Sequence, residues 1–237
     1  MDCSSAAAGD FRVENRVYRG NQKEPASRST TVFSGAMVFD YLKEPAEVIV
    51  LDKAGGRFIL LDTARRVRAE VTIEHVMSFT DRLQQSAGTR EDPFLRFLVA
   101  PKFDEQFDER SGELTLSSPW MTYRLLLTEA GGREIARQYR GFADWYARLN
   151  TMLHPGSKPP FARLLVNDAA ARRGATPRRV QLTLTPKKSF TPKQVTIRSE
   201  HDLVRQVPQS DLDRVAQTHE FMRIFELIGI EQYLKRS

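Results

Sequence analysis

The segment Thr30–Asp62, TTVFSGAMVFDYLKEPAEVIVLDKAGGRFILLD, limits the possible folds more than any other part of the chain. It contains three apolar, β-rich runs separated by Glu44-Pro45 and by Gly55-Gly56. Val48-Ile49-Val50-Leu51 and Phe58-Ile59-Leu60-Leu61 show no helical period. A phosphate cradle would need a helix after the glycines, whereas Gly-Gly between two strand-like runs predicts a hairpin. Thr30–Leu42 reads as one long strand. In it Phe33, Met37, Phe39 and Tyr41 point one way and Val32, Ala36 and Val38 the other, with Gly35 marking a bend, a bulge or a close backbone approach. Strands that are apolar on both sides have to be covered on both sides.

The flanking sequence extends this into a meander. Phe11–Arg19 alternates with Phe11 and Val13 inward, and Val67, Ala69 and Val71 alternate with Arg66, Arg68 and Glu70. Thr72 then caps a helix in which Ile73, Val76, Met77, Phe79, Thr80 and Leu83 follow helical spacing. After a short apolar piece closed by Pro101, residues 103–129 read as strand, turn at Arg110–Gly112, strand and strand. The strongest helix follows Gly131-Gly132, its stripe formed by Ile135, Tyr139, Phe142, Tyr146, Leu149 and Leu153 with Trp145 beside it. A shorter helix ends at Gly174, a second hairpin-like pair follows around a Lys/Pro-rich loop, and a terminal helix from Ser210 is expected to break at Gly229.

Composition removes several function classes. The chain has one cysteine, Cys3, so no internal disulfide and no cysteine-based metal cluster exist. No apolar run reaches the roughly 18–20 residues of a membrane-spanning helix. The four histidines lack zinc spacing, so neither a metal site nor a cofactor is expected. Ser117-Ser118-Pro119 is not a nucleophile elbow. Glu105 and Glu109 can share a strand face, but a charged hairpin edge explains the Asp104–Glu109 acids more simply. The net charge of +6 is uneven: Arg163–Arg198 holds nine basic residues against Asp168 alone. Only Phe161 and Phe190 lie near them, too few for base stacking, so nucleic acid is an unfavoured partner. A solvated basic face is the simpler reading.

A sheet with apolar strands on both sides, followed by amphipathic helices, predicts an α+β fold: one curved antiparallel sheet, an incomplete barrel, with helices against its concave face. Where those helices leave space, an apolar cavity would result. Met37, Phe39, Tyr41, Ile49, Leu51, Phe58, Leu60, Trp120 and Trp145 are the candidates to line it, with a filled core as the competing reading.

The stretches FRVENRVY, STTVFSGAMVFDYL, AEVIVLDKAGGRFILLDTARRVRAEVT, SSPWMTYRL and YRGFADWYARLNTMLHPGSKPPFARLLVN resemble a family of uncharacterised, exported bacterial proteins. More remotely, the order of elements is similar to the outer-membrane lipoprotein-carrier (LolA/LolB/LppX-like) superfamily. That resemblance rests on the strand meander, the GRFILLD strand and the late VQLTLTPKK and QVTIRSE pair. It implies an open barrel that carries acyl chains, although the Arg133–Leu153 helix and the terminal helices depart from the carrier pattern. The expectation is a single domain over 11–237 behind a tail or signal-peptide remnant at 1–10. It would be a non-enzymatic, periplasmic or otherwise exported protein, with a cytoplasmic location left open. It would bind or carry a lipid or lipoprotein acyl chain, or meet an envelope protein partner. A hydrolase-like enzyme and a basic nucleic-acid-binding module are the alternatives.

Overall fold

A computed structural model describes residues 9–88, 91–185 and 195–235. In chain order the strands are β1 (Phe11–Arg19), β2 (Ser27–Ser34), β3 (Met37–Leu42), β4 (Glu47–Asp52), β5 (Arg57–Asp62) and β6 (Val67–Thr72). Helices α1 (Ile73–Gly88) and α2 (Pro93–Val99) precede β7 (Asp104–Asp108), β8 (Glu113–Ser117) and β9 (Met121–Thr128). Next come α3 (Gly132–Leu153), α4 (Phe161–Arg172), β10 (Thr176–Leu184) and β11 (Val195–Val204). Helix α5 (Gln209–Ile224), β12 (Glu226–Leu227) and α6 (Ile230–Leu234) complete the described chain. The fold is α+β: among the described residues twelve strands follow a hydrogen-bonded order from β12 to β7 that never closes into a barrel. Contacts group the chain into two compact units.

The first unit takes in residues 9–15, 27–73 and 202–235. Its strands β2 to β6 form an antiparallel meander, with Phe39 opposite Val50 and Val50 opposite Ile59. The expected hairpin is present at Lys53–Gly56, where Gly56 has φ +60° and the Gly55 N–H donates to Asp52 Oδ1 at 2.7 Å. A methyl group on Gly55 would collide with that carboxylate. The expected single strand Thr30–Leu42 is instead two strands, folded back at Gly35-Ala36 so that Ser34 pairs with Met37. Gly35, at φ +56°, supplies a left-handed turn residue rather than a bend within a strand. The turn also reverses the assignment of faces: Val32, not Phe33, lies beside Phe39. Strands β4 and β5 are buried on both sides, as their continuous apolar runs require.

One face of this meander, carrying Val32, Phe39, Tyr41, Val48, Val50, Ile59 and Leu61, packs with Val215 of α5 and with Phe225. The terminal helix stops at Ile224, before the expected Gly229 break. Residues Glu226 and Leu227 then add a short strand parallel to β6.

The second unit takes in residues 16–26 and the described parts of 74–201. Strands β7 to β11 are antiparallel neighbours here, and the Lys/Pro-rich loop between β10 and β11 lies outside the described residues. Leu114, Leu116, Met121, Tyr123, Leu125 and Val180 meet α2 through Phe97 and α4 through Ala162, Val166, Ala169 and Ala170. The piece before Pro101 is helical because the Asp92 carboxylate caps it, accepting from the Phe94 and Leu95 N–H groups at 2.7 and 3.2 Å.

Candidate ligand-binding site

The nine apolar candidates do not converge. Antiparallel pairing sets Ile49 opposite Asp40 and Leu51 opposite Val38. Ile49, Leu51, Phe58 and Leu60 therefore lie on the sheet face away from Met37, Phe39 and Tyr41. Phe39, Ile49, Leu51, Phe58 and Leu60 are buried side chains of the sheet, and Met37 packs at the margin of the α5-side core. Trp120 belongs to the second unit, 4.7 Å from Phe97 between ring centroids, and Trp145 there carries the Arg148 guanidinium at 5.2 Å. Tyr41 borders a recess.

That recess is a groove of about 150 Å³ in the first unit, between the β3–β4 hairpin, the end of β5 and α5. Tyr41, Leu42, Val48, Thr63, Arg214 and Phe221 represent its walls, and Ala46, Glu47, Gln217 and Thr218 complete them. Alternation places Tyr41 and its cross-strand partner Val48 on the α5 side. Arg214, Gln217, Thr218 and Phe221 recur at helical spacing, which puts them along one side of α5.

The polar groups are held in place. Tyr41 Oη and Thr218 Oγ1 share a buried hydrogen bond of 3.1 Å, and Thr218 also donates to the Arg214 carbonyl at 2.8 Å. The Arg214 guanidinium lies 4.0 Å over the Tyr41 ring and 3.5 Å from Asp211, a buried carboxylate that Arg12 also approaches at 2.5 Å. Tyr233 Oη donates to the buried Glu47 at 3.2 Å. Burial pushes the Tyr41 phenol above its ordinary value, against the opposing effects of the Thr218 bond and the Arg214 charge. Tyr41 is therefore a neutral hydrogen-bonding group at physiological pH, not a base.

Ser199 Oγ and His201 Nε2 meet at 2.9 Å, and Tyr139 Oη lies 3.5 Å from His201 Nδ1. Burial, then the Arg163 charge, drives this imidazole down to about 3. A group so weakly basic does not activate a serine near neutral pH. Among the described residues, no group of three or more His, Cys, Asp and Glu side chains is placed to hold a metal ion.

The basic segment is also dispersed. Arg172 and Arg173 both grip Glu105, at 2.8 and 2.7 Å, and Arg173 covers the Phe107 ring at 4.7 Å. Arg140 bridges to Asp168 at 2.9 Å, while Arg178 and Arg179 remain exposed. Lys187, Lys188 and Lys193 lie outside the described residues. Sequence reasoning found Tyr41 through strand alternation but missed Arg214, Gln217 and Thr218. Their helical spacing was available, whereas the strand they face depends on tertiary packing.

Neither the protein-family models nor the curated proteins gave a match. Among solved structures, the chain is similar to a LolA superfamily protein from Nitrosomonas europaea, at 8% identity and a TM-score of 0.26, over 85% of this chain and 87% of the other. Likeness at that level is too distant to transfer function. No helix among the described residues is long and apolar enough to cross a membrane.

Proposed function

We propose that the protein is a non-enzymatic binding protein that takes one end of a small amphipathic molecule in the groove between β3, β4 and α5. The ligand class is a lipid or acyl chain with an anionic head. The observation that carries this reading is the division of the lining: Leu42, Val48 and Phe221 offer apolar contact, while Arg214 is the only lining cation among the described residues. Arg214 is stacked on Tyr41 and tied toward Asp211, so little side-chain freedom remains to be lost on binding. A space of about 150 Å³ holds roughly five water-sized groups, enough for a head and the first carbons of a chain. The rest of a longer chain would leave through the groove mouth or displace α5. An exported, periplasmic location accompanies this proposal, supported by the sequence resemblance given above.

Titration of a dansyl-labelled fatty acid into the full chain tests the reading. Saturable emission enhancement is expected for the wild type, with weaker binding by Arg214→Gln and none by Val48→Trp, which fills the groove. No response from the wild type, together with no change in its melting temperature on adding octanoate, would overturn it.

A further inference from the structure

Within the second unit, β9, β10 and β11 put Gln181 directly opposite both Arg124 and Arg198, and put Arg179 opposite Glu200. Opposed residues of an antiparallel sheet share a face, as do residues two apart on one strand. Arg124, Arg179 and Arg198 therefore surround Gln181 on one face. Arg16 joins them: it, Arg179 and Arg198 lie 3.7–3.8 Å from Glu200, which Tyr18 Oη approaches at 3.4 Å. Three cations thus meet one acid, at separations longer than the roughly 2.7–2.9 Å of a charge-assisted hydrogen bond, and Arg124 adds a fourth cation to the same face across Gln181. Arg198 is set by its position 4.4 Å over the Tyr18 ring, and its enclosed Nε has no hydrogen-bond partner among the described residues.

The opposite face carries Val180 and Leu182, packed with α2 and α4, and His201, which meets Tyr139 of α3. The arginine face, with Glu200 among its cations, instead continues through Thr122, Thr183 and Thr196 and carries further acids at Glu113, Asp104 and Asp108 on β8 and β7.

We propose that this arginine face docks on the phosphate layer of an anionic phospholipid bilayer. Charge complementarity selects the occupant: guanidinium groups match phosphate oxygens, and basic groups near an anionic leaflet bind additively. A small phosphate ester would favour a concave site, whereas Arg124, Arg179 and Arg198 are spread over three neighbouring strands of one sheet face. A single-stranded nucleic acid would need stacking platforms, and the Tyr18 ring already carries Arg198. This inference does not depend on the groove reading.

Vesicle sedimentation with the full chain is the test. The wild type is expected to pellet with phosphatidylcholine–phosphatidylglycerol vesicles at low salt, to be released by added salt, and to remain in solution with phosphatidylcholine alone. The double variant Arg124→Gln/Arg198→Gln should weaken binding by about thirty-fold. Arg110→Gln, which removes one charge in the exposed β7–β8 turn and so matches the charge change of Gln181→Glu, should pellet like the wild type. Gln181→Glu keeps every arginine but adds an acid at the centre, and should weaken binding even if the double variant is unstable. The proposal is overturned by equal pelleting with both vesicle types, by failure to pellet with either, or by an equal loss in Arg110→Gln. Tighter binding to a single-stranded oligonucleotide than to the anionic vesicles also overturns it.

Discussion

Tyr41 shows how one residue can be placed by sequence while its role waits on its neighbours. Alternation puts its ring on an inward face, but its hydroxyl is satisfied by Thr218, distant in the chain. Removing that hydroxyl in Tyr41→Phe leaves Thr218 bonded to the Arg214 carbonyl, so the expected cost is about 0.5–1.5 kcal/mol by chemical denaturation. Thr218→Val strands the buried phenol instead and should cost more, about 1–3 kcal/mol. His201 gives a pH signature. Its folded value of about 3 lies below the ordinary 6.5, so the unfolded chain binds the extra proton as pH falls. The stability associated with neutral His201 is complete above about 6.5 and declines as pH drops toward 3. Denaturation midpoints measured across that window should flatten in His201→Gln. An unchanged slope would show that His201 is not the titrating group.

At the scale of elements, the long helix α3 was legible because Tyr139, Phe142 and Leu149 repeat at helical spacing, and all three are buried. Phe142, with Tyr146 at 5.3 Å, is expected to lose roughly 3–5 kcal/mol of stability on truncation to Ala. An exposed-site effect below 1 kcal/mol in urea titrations would contradict its burial. The arginines divide differently from a uniform basic face. Arg178→Gln should leave the melting temperature unchanged. Arg172→Gln/Arg173→Gln should lower it, because both residues tie α4 to Glu105 of β7. What remained hidden had a physical cause. Thr30–Leu42 carries strand propensity throughout, so only the positive φ of Gly35 reveals the turn that reverses its faces. The short β12 lacked a pattern of its own, since two residues carry no period and its partner β6 is distant in sequence.

At the scale of the whole molecule, the strand-rich first third and later helices correctly indicated an α+β fold with an unclosed sheet. The location of the site was not legible. The apolar residues most conspicuous in the sequence became buried sheet residues, and the groove formed where polar α5 side chains meet Tyr41 and Val48. The central claim is therefore that an amphipathic molecule occupies this groove. Native mass spectrometry of the intact chain purified from its own host tests that claim most directly. The account predicts a bound species with the mass of a lipid or fatty acid that is absent from Val48→Trp. A wild-type chain that flies bare, or an adduct retained unchanged in Val48→Trp, would contradict it.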